Sequence, residues 1–182
     1  MLDSTERDRT GQDLCGGERV SLYPYAQIDG AWNLRDAFVL AVYRQMKAEG
    51  TLDVVFANDP VSSEQEFLTI MQNPANLVVF AFDQRDLAAV AWINNIQREH
   101  CMAHYWFARS AWGGKALAIG RKILDYWFSF PAADGVLFKA ILGVTPEDNR
   151  RSRAFNRRLG FTELGVIPTL GQAFSYMENP NG

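Results

Sequence analysis

"GVTPEDNRRSRAFNRRLGF", residues 143–161, decides how the rest of the chain is read. It is entered from "GVLFKAILGV" at 135–144, a β-rich run of the kind found in a central strand. Thr145 then offers a helix cap, with Pro146 at the first helical position and Asp148 close behind. The helix so predicted carries Arg150, Arg151, Arg153, Arg157 and Arg158 and stops at Gly160. That glycine fits a left-handed C-cap, with Phe161 returning to the core. At about 100° per residue, Arg150, Arg153 and Arg157 share one stripe and Arg151 and Arg158 another, so part of this charge is an ordinary solvated face. Asn149 and Ser152 stand out more, because a polar pair on the first turn can serve either the local backbone or a ligand.

Upstream, "FARSAWGGKALAIG" at 107–120 is a second place where a strand runs through a turn into a helix. Two glycines permit close approach of a ligand, and the unpaired N–H groups and dipole of the helix start favour an anion. Helical spacing continues to residue 130, with Ala116, Ile119, Ile123, Trp127 and Phe130 on one side. Before it lie three apolar runs separated by turn residues, "NLVVFAF", "LAAVAWINNI" and "HCMAHYWFARSAW", which predict three consecutive antiparallel strands. Earlier still, Leu34, Phe38, Val42 and Met46 form the stripe of a helix starting after Asp29 and ending at Gly50. Ser63 and Glu66 make a capping box for a short second helix, and "ERVSLYPYAQ" supplies a first strand. "FTELGVIP" and "GQAFSYMEN" close the chain as a hairpin.

The order is strand, two helices, three strands, helix, strand, helix, two strands. This is one mixed α/β (α+β) domain over residues 18–182, following a tail at 1–17 that lacks periodicity and is expected to be mobile. At 48% hydrophobic, with 12 Phe and 5 Trp, the chain of 182 residues has ample material for one continuous core. Its formal net charge of −3 argues against nucleic acid as a partner. No apolar run reaches the length of a membrane span, and the polar N-terminus does not read as a secretory signal. Cys15 and Cys101 are far apart and form neither a disulfide framework nor a zinc pattern, which makes a reducing cytoplasm the default.

The two strand-to-helix features together resemble those of the GNAT acetyltransferases, from about Arg19 to the end. The family's cofactor signature, Gln/Arg-x-x-Gly-x-Gly/Ala, is matched loosely by Lys115-Ala-Leu-Ala118-Ile-Gly120, with Lys for Gln/Arg and Ala for the first Gly. Its later Asn-x-x-Ala/Ser and Leu-Gly-Phe are matched by Asn149-Arg-Arg-Ser152 and Leu159-Gly160-Phe161. The resemblance implies a single GNAT-like domain, a mostly antiparallel sheet of six to seven strands flanked by about four helices. It implies an acetyl-CoA co-substrate, bound without a metal. Phe107 on the splayed fourth strand, the turn and helix start at Gly113, Gly114, Lys115, Ala118, Ile119 and Gly120, and Asn149 and Ser152 would hold it. Arg150 or Arg151 would meet CoA phosphates.

The acceptor would be a primary amine of a small molecule or peptide that attacks the thioester directly, and a homodimer is left open. Many members place a tyrosine proton donor on the last helix; the corresponding position is Asn156. The general base would come from the fourth strand, where His100 and His104 are the only histidines, and His104 with Glu99 at the preceding turn is the candidate pair. Asp83, Asp86 and Glu147 read as turn and cap residues, Cys101 as buried packing, and Tyr105, Trp106, Phe107 and Trp112 as core before substrate cage. The rival reading is a GNAT-like module that binds CoA weakly and serves in interaction, motivated by Lys115, Ala118 and the missing tyrosine.

Overall fold

The computed structural model describes residues 20–180 apart from 58 and 134, so the tail expected at 1–17 lies outside the described residues. Seven strands form the main sheet: β1 (Val20–Tyr25), β2 (Leu77–Asp83), β3 (Asp86–Gln97), β4 (His100–Phe107), β5 (Ala140–Pro146), β6 (Thr162–Ile167) and β7 (Gln172–Glu178). Their spatial order is β1-β2-β3-β4-β5-β7-β6. Every neighbouring pair is antiparallel except β4 with β5. Five helices accompany the sheet: α1 (Asp36–Ala48), α2 (Leu52–Val55), α3 (Glu64–Met71), α4 (Gly114–Phe128) and α5 (Arg150–Leu159). No helix among the described residues is long and apolar enough to cross a membrane.

The central strands read as continuous apolar runs because both faces of the sheet are covered. Alternation divides their side chains between two cores. Val79, Ala81, Ala91, Ile93 and Cys101 pack with Ile119, Ile123 and Trp127 of α4 and Leu159 of α5. Val78, Phe80, Val90, Trp92 and Trp106 pack with Val39, Val42 and Met46 of α1 and Phe67 and Met71 of α3. Cys101 is fully buried in the first core, which pushes its thiol up to about 12 and fits the packing role expected of it. The capping box also forms: Ser63 accepts from the Glu66 N–H at 3.2 Å, while the Glu66 carboxylate accepts from Ser62.

Three boundaries differ from expectation, each for a tertiary reason. The first helix begins at Asp36, because Asp29 and Gly30 adopt positive φ in a tight hairpin that Asn33 ties to Pro24 and Ala26. Strand β5 begins at Ala140, since Gly135 and Val136 turn back onto Pro131 and Ala132. At its other end β5 runs on through Thr145 and Pro146, paired with β7, so Thr145 is a buried strand residue and Asn149 caps α5 instead. A strand end with one open edge tolerates the proline.

Candidate active site

Parallel strands β4 and β5 share three paired positions, His100 with Ala140, Cys101 with Ile141 and Met102 with Leu142. Their junction is closed by Glu99, whose backbone carbonyl accepts from the N–H groups of Lys139 and Ala140 at 2.7 and 3.2 Å. Beyond Met102 the two strands part. Strand β4 keeps its register with β3 as far as Phe107, and β5 keeps its register with β7 as far as Pro146. Ala103–Phe107 therefore present an unpaired backbone edge, the arrangement to which an extended ligand adds as an extra strand. The gap opens into a cleft of about 300 Å³, walled by His104 and Tyr105 on β4, Val144 and Thr145 on β5, and Asn149 and Ser152 on α5. Trp92 and Asn94 of β3, beside His104, and Phe56 and Asp59 complete its lining.

At the wide end, β4 leads through a single 3₁₀ turn to Trp112 and Gly113. Gly113 has φ 90° and ψ −136°, a conformation that excludes side-chain-bearing residues without strain. It directs the N–H groups of Gly114, Lys115 and Ala116 out of the helix end, ahead of the first intrahelical bond, from Leu117 N to Gly113 O. These three donors can hold a pyrophosphate. The Lys115 ammonium is paired with Asp83 at 2.8 Å, which accounts for that carboxylate as structural. Trp112 is exposed nearby, with the guanidinium groups of Arg109 and Arg151 each 5.5 Å from its ring.

The expected signature frame is displaced by this geometry. Ala118 lies exposed on the second turn, past the free donors, and Ile119 is buried in the core. Gly120 faces α5, where an added Cβ would come within 3.0 Å of Leu159 and 3.3 Å of Phe155. Neither Ile119 nor Gly120 can meet a phosphate, and the glycine serves close helix packing. Phe107 is likewise buried, tilted against Tyr105 and edge-to-face with Phe155, and its carbonyl accepts from the Trp112 indole at 3.0 Å.

Asn149 spends its side-chain oxygen on the Ser152 N–H at 3.1 Å, capping α5, while both residues still border the cleft. Two of the five arginines are structural, Arg153 and Arg157 both binding Glu163 of β6. Glu99 does not join His104. It is five residues away along an extended strand, roughly 16 Å, and its carboxylate pairs with Lys139 at the closed end at 2.7 Å. The expected acid–base pair is thus separated by the closed, paired end of the two strands.

His104 does face the cleft, in register with Trp92, whose ring it parallels at 5.1 Å; Phe56 also stacks on that indole. Its Nε2 lies 3.0 Å from Asn94 Oδ1, so Nε2 carries the proton and Nδ1 the lone pair. Burial pulls its pKa down to about 4, keeping the ring neutral. On the opposite face of β4, Tyr105 donates to Asn156 Oδ1 at 2.9 Å. The Ser152 side chain is its second polar neighbour, and burial pushes the phenol up to about 12. Strand alternation alone separates His104 from Tyr105, and it was the available signal for the latter. Phe56, Asp59 and Asn94 carried no such signal, since only the packing of α2 and β3 brings them to the cleft.

A family model described as an acetyltransferase (GNAT) domain matches residues 32–162. Among curated proteins none is significantly similar in sequence. Among solved structures, the chain is similar to an acetyltransferase from Salmonella typhimurium that modifies the N-terminal serine of the 50S ribosomal subunit protein L7/L12. That match has a TM-score of 0.69 at 17% identity and covers 89% of this chain and 96% of the other. Spermidine N-acetyltransferase from Vibrio cholerae, crystallised with CoA and spermine, matches with a TM-score of 0.66 at 15% identity over 91% and 98% of the two chains. The microcin C7 self-immunity acetyltransferase MccE, crystallised with acetyl-CoA and AMP, gives 0.63 at 16% over 89% and 93%. These likenesses are of fold, and they agree with the family model, which spans well over half the sequence: the chain belongs to the GNAT acetyltransferase family, and by class is an N-acetyltransferase.

Proposed function

We propose that this chain transfers an acetyl group from acetyl-CoA directly to a primary amine, with both substrates held at once in the β4–β5 gap. The observation that carries the reading is the unpaired edge of Ala103–Phe107 ending at three free N–H groups. Five strand residues span roughly 16 Å, room for an extended pantetheine arm. The arm would bond to that edge, with its pyrophosphate on Gly114–Ala116 and its thioester near His104 and Tyr105.

The amine would enter from the side of Phe56, Asp59 and Asn94. His104 Nδ1 would accept a hydrogen bond from it. With a pKa of about 4, that imidazole orients an uncharged amine and passes its proton on to water, and does not store it. The spermidine enzyme and the serine-modifying enzyme show that this fold serves both small and peptide amines. The acceptor here belongs to one of those two broad classes.

Calorimetric titration with CoA tests the first half. Binding in the micromolar range is expected, and no heat at millimolar CoA from folded protein would sink the reading. An acetyl-transfer screen over spermidine, free amino acids and a peptide with an N-terminal serine tests the second half. Binding without turnover on any of them would return the chain to the role of a CoA-binding module.

A further inference from the structure

The mechanism above leaves one requirement unmet. When the amine attacks, a C–N bond forms, the C–S bond breaks, and sulfur leaves with the electron pair as a thiolate that needs a proton or a strong donor. His104 is neutral and is already assigned to the incoming amine, and Asp59 lies exposed on the rim. The remaining titratable side chain in the cleft wall is Tyr105.

We propose that Tyr105 of β4 is the proton donor to the departing CoA sulfur, held ready by Asn156 of α5. The proposal rests on the acetyl-CoA reading above and adds a catalytic residue to it. The phenol lies on the α5 side of β4 and at rest donates its one O–H to Asn156 Oδ1 at 2.9 Å; a thiolate forming beside it is a stronger acceptor than that neutral amide and draws the proton across. The Asn156 amide is itself oriented, with Nδ2 3.4 Å from the hydroxyl oxygen of buried Thr145. The Tyr105 ring is packed between Phe107 and Phe155, which fixes its position while leaving the hydroxyl at the cleft. The Ser152 hydroxyl beside the phenol oxygen is placed to donate to it and would stabilise the phenolate that forms as the proton leaves. Water in the cleft then returns the proton to the phenolate, and the proton lost by the amine goes to solvent past His104.

The test begins with CoA alone, which needs no knowledge of the acceptor. The thiol of CoA bound to wild type and to Tyr105→Phe is titrated by its ultraviolet thiolate absorbance, as a difference against desulfo-CoA. A donor on the sulfur makes the bound thiol titrate about one unit lower in wild type than in the variant. Equal values would overturn the proposal. Asn156→Leu, which strips the phenol of its holding partner, should move the thiol value in the wild-type background and leave it unmoved in the Tyr105→Phe background; equal shifts in both would overturn the role given to Asn156.

With spermidine and the seryl peptide as probes, kcat for Tyr105→Phe should fall roughly 10²-fold while KM for acetyl-CoA changes less than about threefold. An unchanged kcat would also overturn it. Replacing Tyr105 by a ring-fluorinated tyrosine preserves shape and lowers the phenol pKa. An alkaline fall in kcat should then appear within the measurable range, where wild type has none from this group; no such limb counts against the proposal. Failure of wild type to turn over either probe would fall on the proposed acceptor class, and the thiol titration would still decide Tyr105.

Discussion

The two ends of the β4–β5 pair are built from the same two strands and behave oppositely. At the closed end, three parallel positions are paired, and the Glu99 carbonyl collects two N–H groups from Lys139 and Ala140. At the open end, the strands keep their outer partners and lose each other. Nothing polar has to be invented there: the binding edge is ordinary β backbone whose ladder has been stopped. The difference teaches that the site is made by withholding a neighbour, and that side chains such as His104, Tyr105 and Asn156 then refine what the backbone has opened.

Withholding a neighbour has a cost, and His104 carries the largest part that can be measured. Its folded pKa, about 4, is below the ordinary 6.5, so between those values the unfolded chain binds more protons than the folded one. Stability is therefore complete above about pH 7 and is lost as pH falls through 6.5 toward 4. From pH 7.5 to 5 this amounts to about 2 kcal/mol. Urea melts at the two pH values should show that loss in wild type and a slope flatter by that amount in His104→Gln. An equal slope in both would mean the open end imposes no desolvation on the ring.

The next effects separate two glycines on one helix. Gly120→Ala pushes a methyl group against Leu159 and Phe155, and should destabilise by roughly 1–3 kcal/mol while the affinity for CoA changes less than about threefold. Gly113→Ala meets no neighbour but is strained at φ 90°. It should turn the Gly114–Ala116 donors and weaken CoA about tenfold, for a smaller loss of melting temperature. Thermal melts and CoA titration of the pair distinguish a packing glycine from a site glycine, and the reverse pattern would move the anion site back to the second turn.

Those two residues also mark how far the sequence could be read. Element order was legible because periodicity and breakers are local: Gly160 with φ 110° ends α5, and Ser63 caps α3. The stretch 143–161 offered Thr145 as the cap with Asn149 on the first turn, and the pairing of β7 through Pro146 moved the cap to Asn149. "GGKALAIG" permits two phosphate frames, and the contact of Gly120 with α5, made across some forty residues, excludes one. The gap had no local signature of its own, because it is the failure of two strands to pair. Tyr105 was legible as an aromatic strand residue and not as a partner of Asn156, since that bond crosses 51 positions.

The smallest expected effect falls at the closed end. The Glu99–Lys139 ion pair is short, but both side chains are more than half exposed. Exposed pairs of this kind contribute about 0–1 kcal/mol and are screened by salt. What closes the strands is the Glu99 backbone carbonyl, which any residue supplies. Glu99→Gln should therefore leave kcat, the affinity for CoA and the melting temperature nearly unchanged, the last within about 2 °C, with the residual difference vanishing in 1 M salt. A large fall in kcat at unchanged stability would mean that the carboxylate acts across the length of the gap, and the division between a closing end and a reacting end would have to be redrawn.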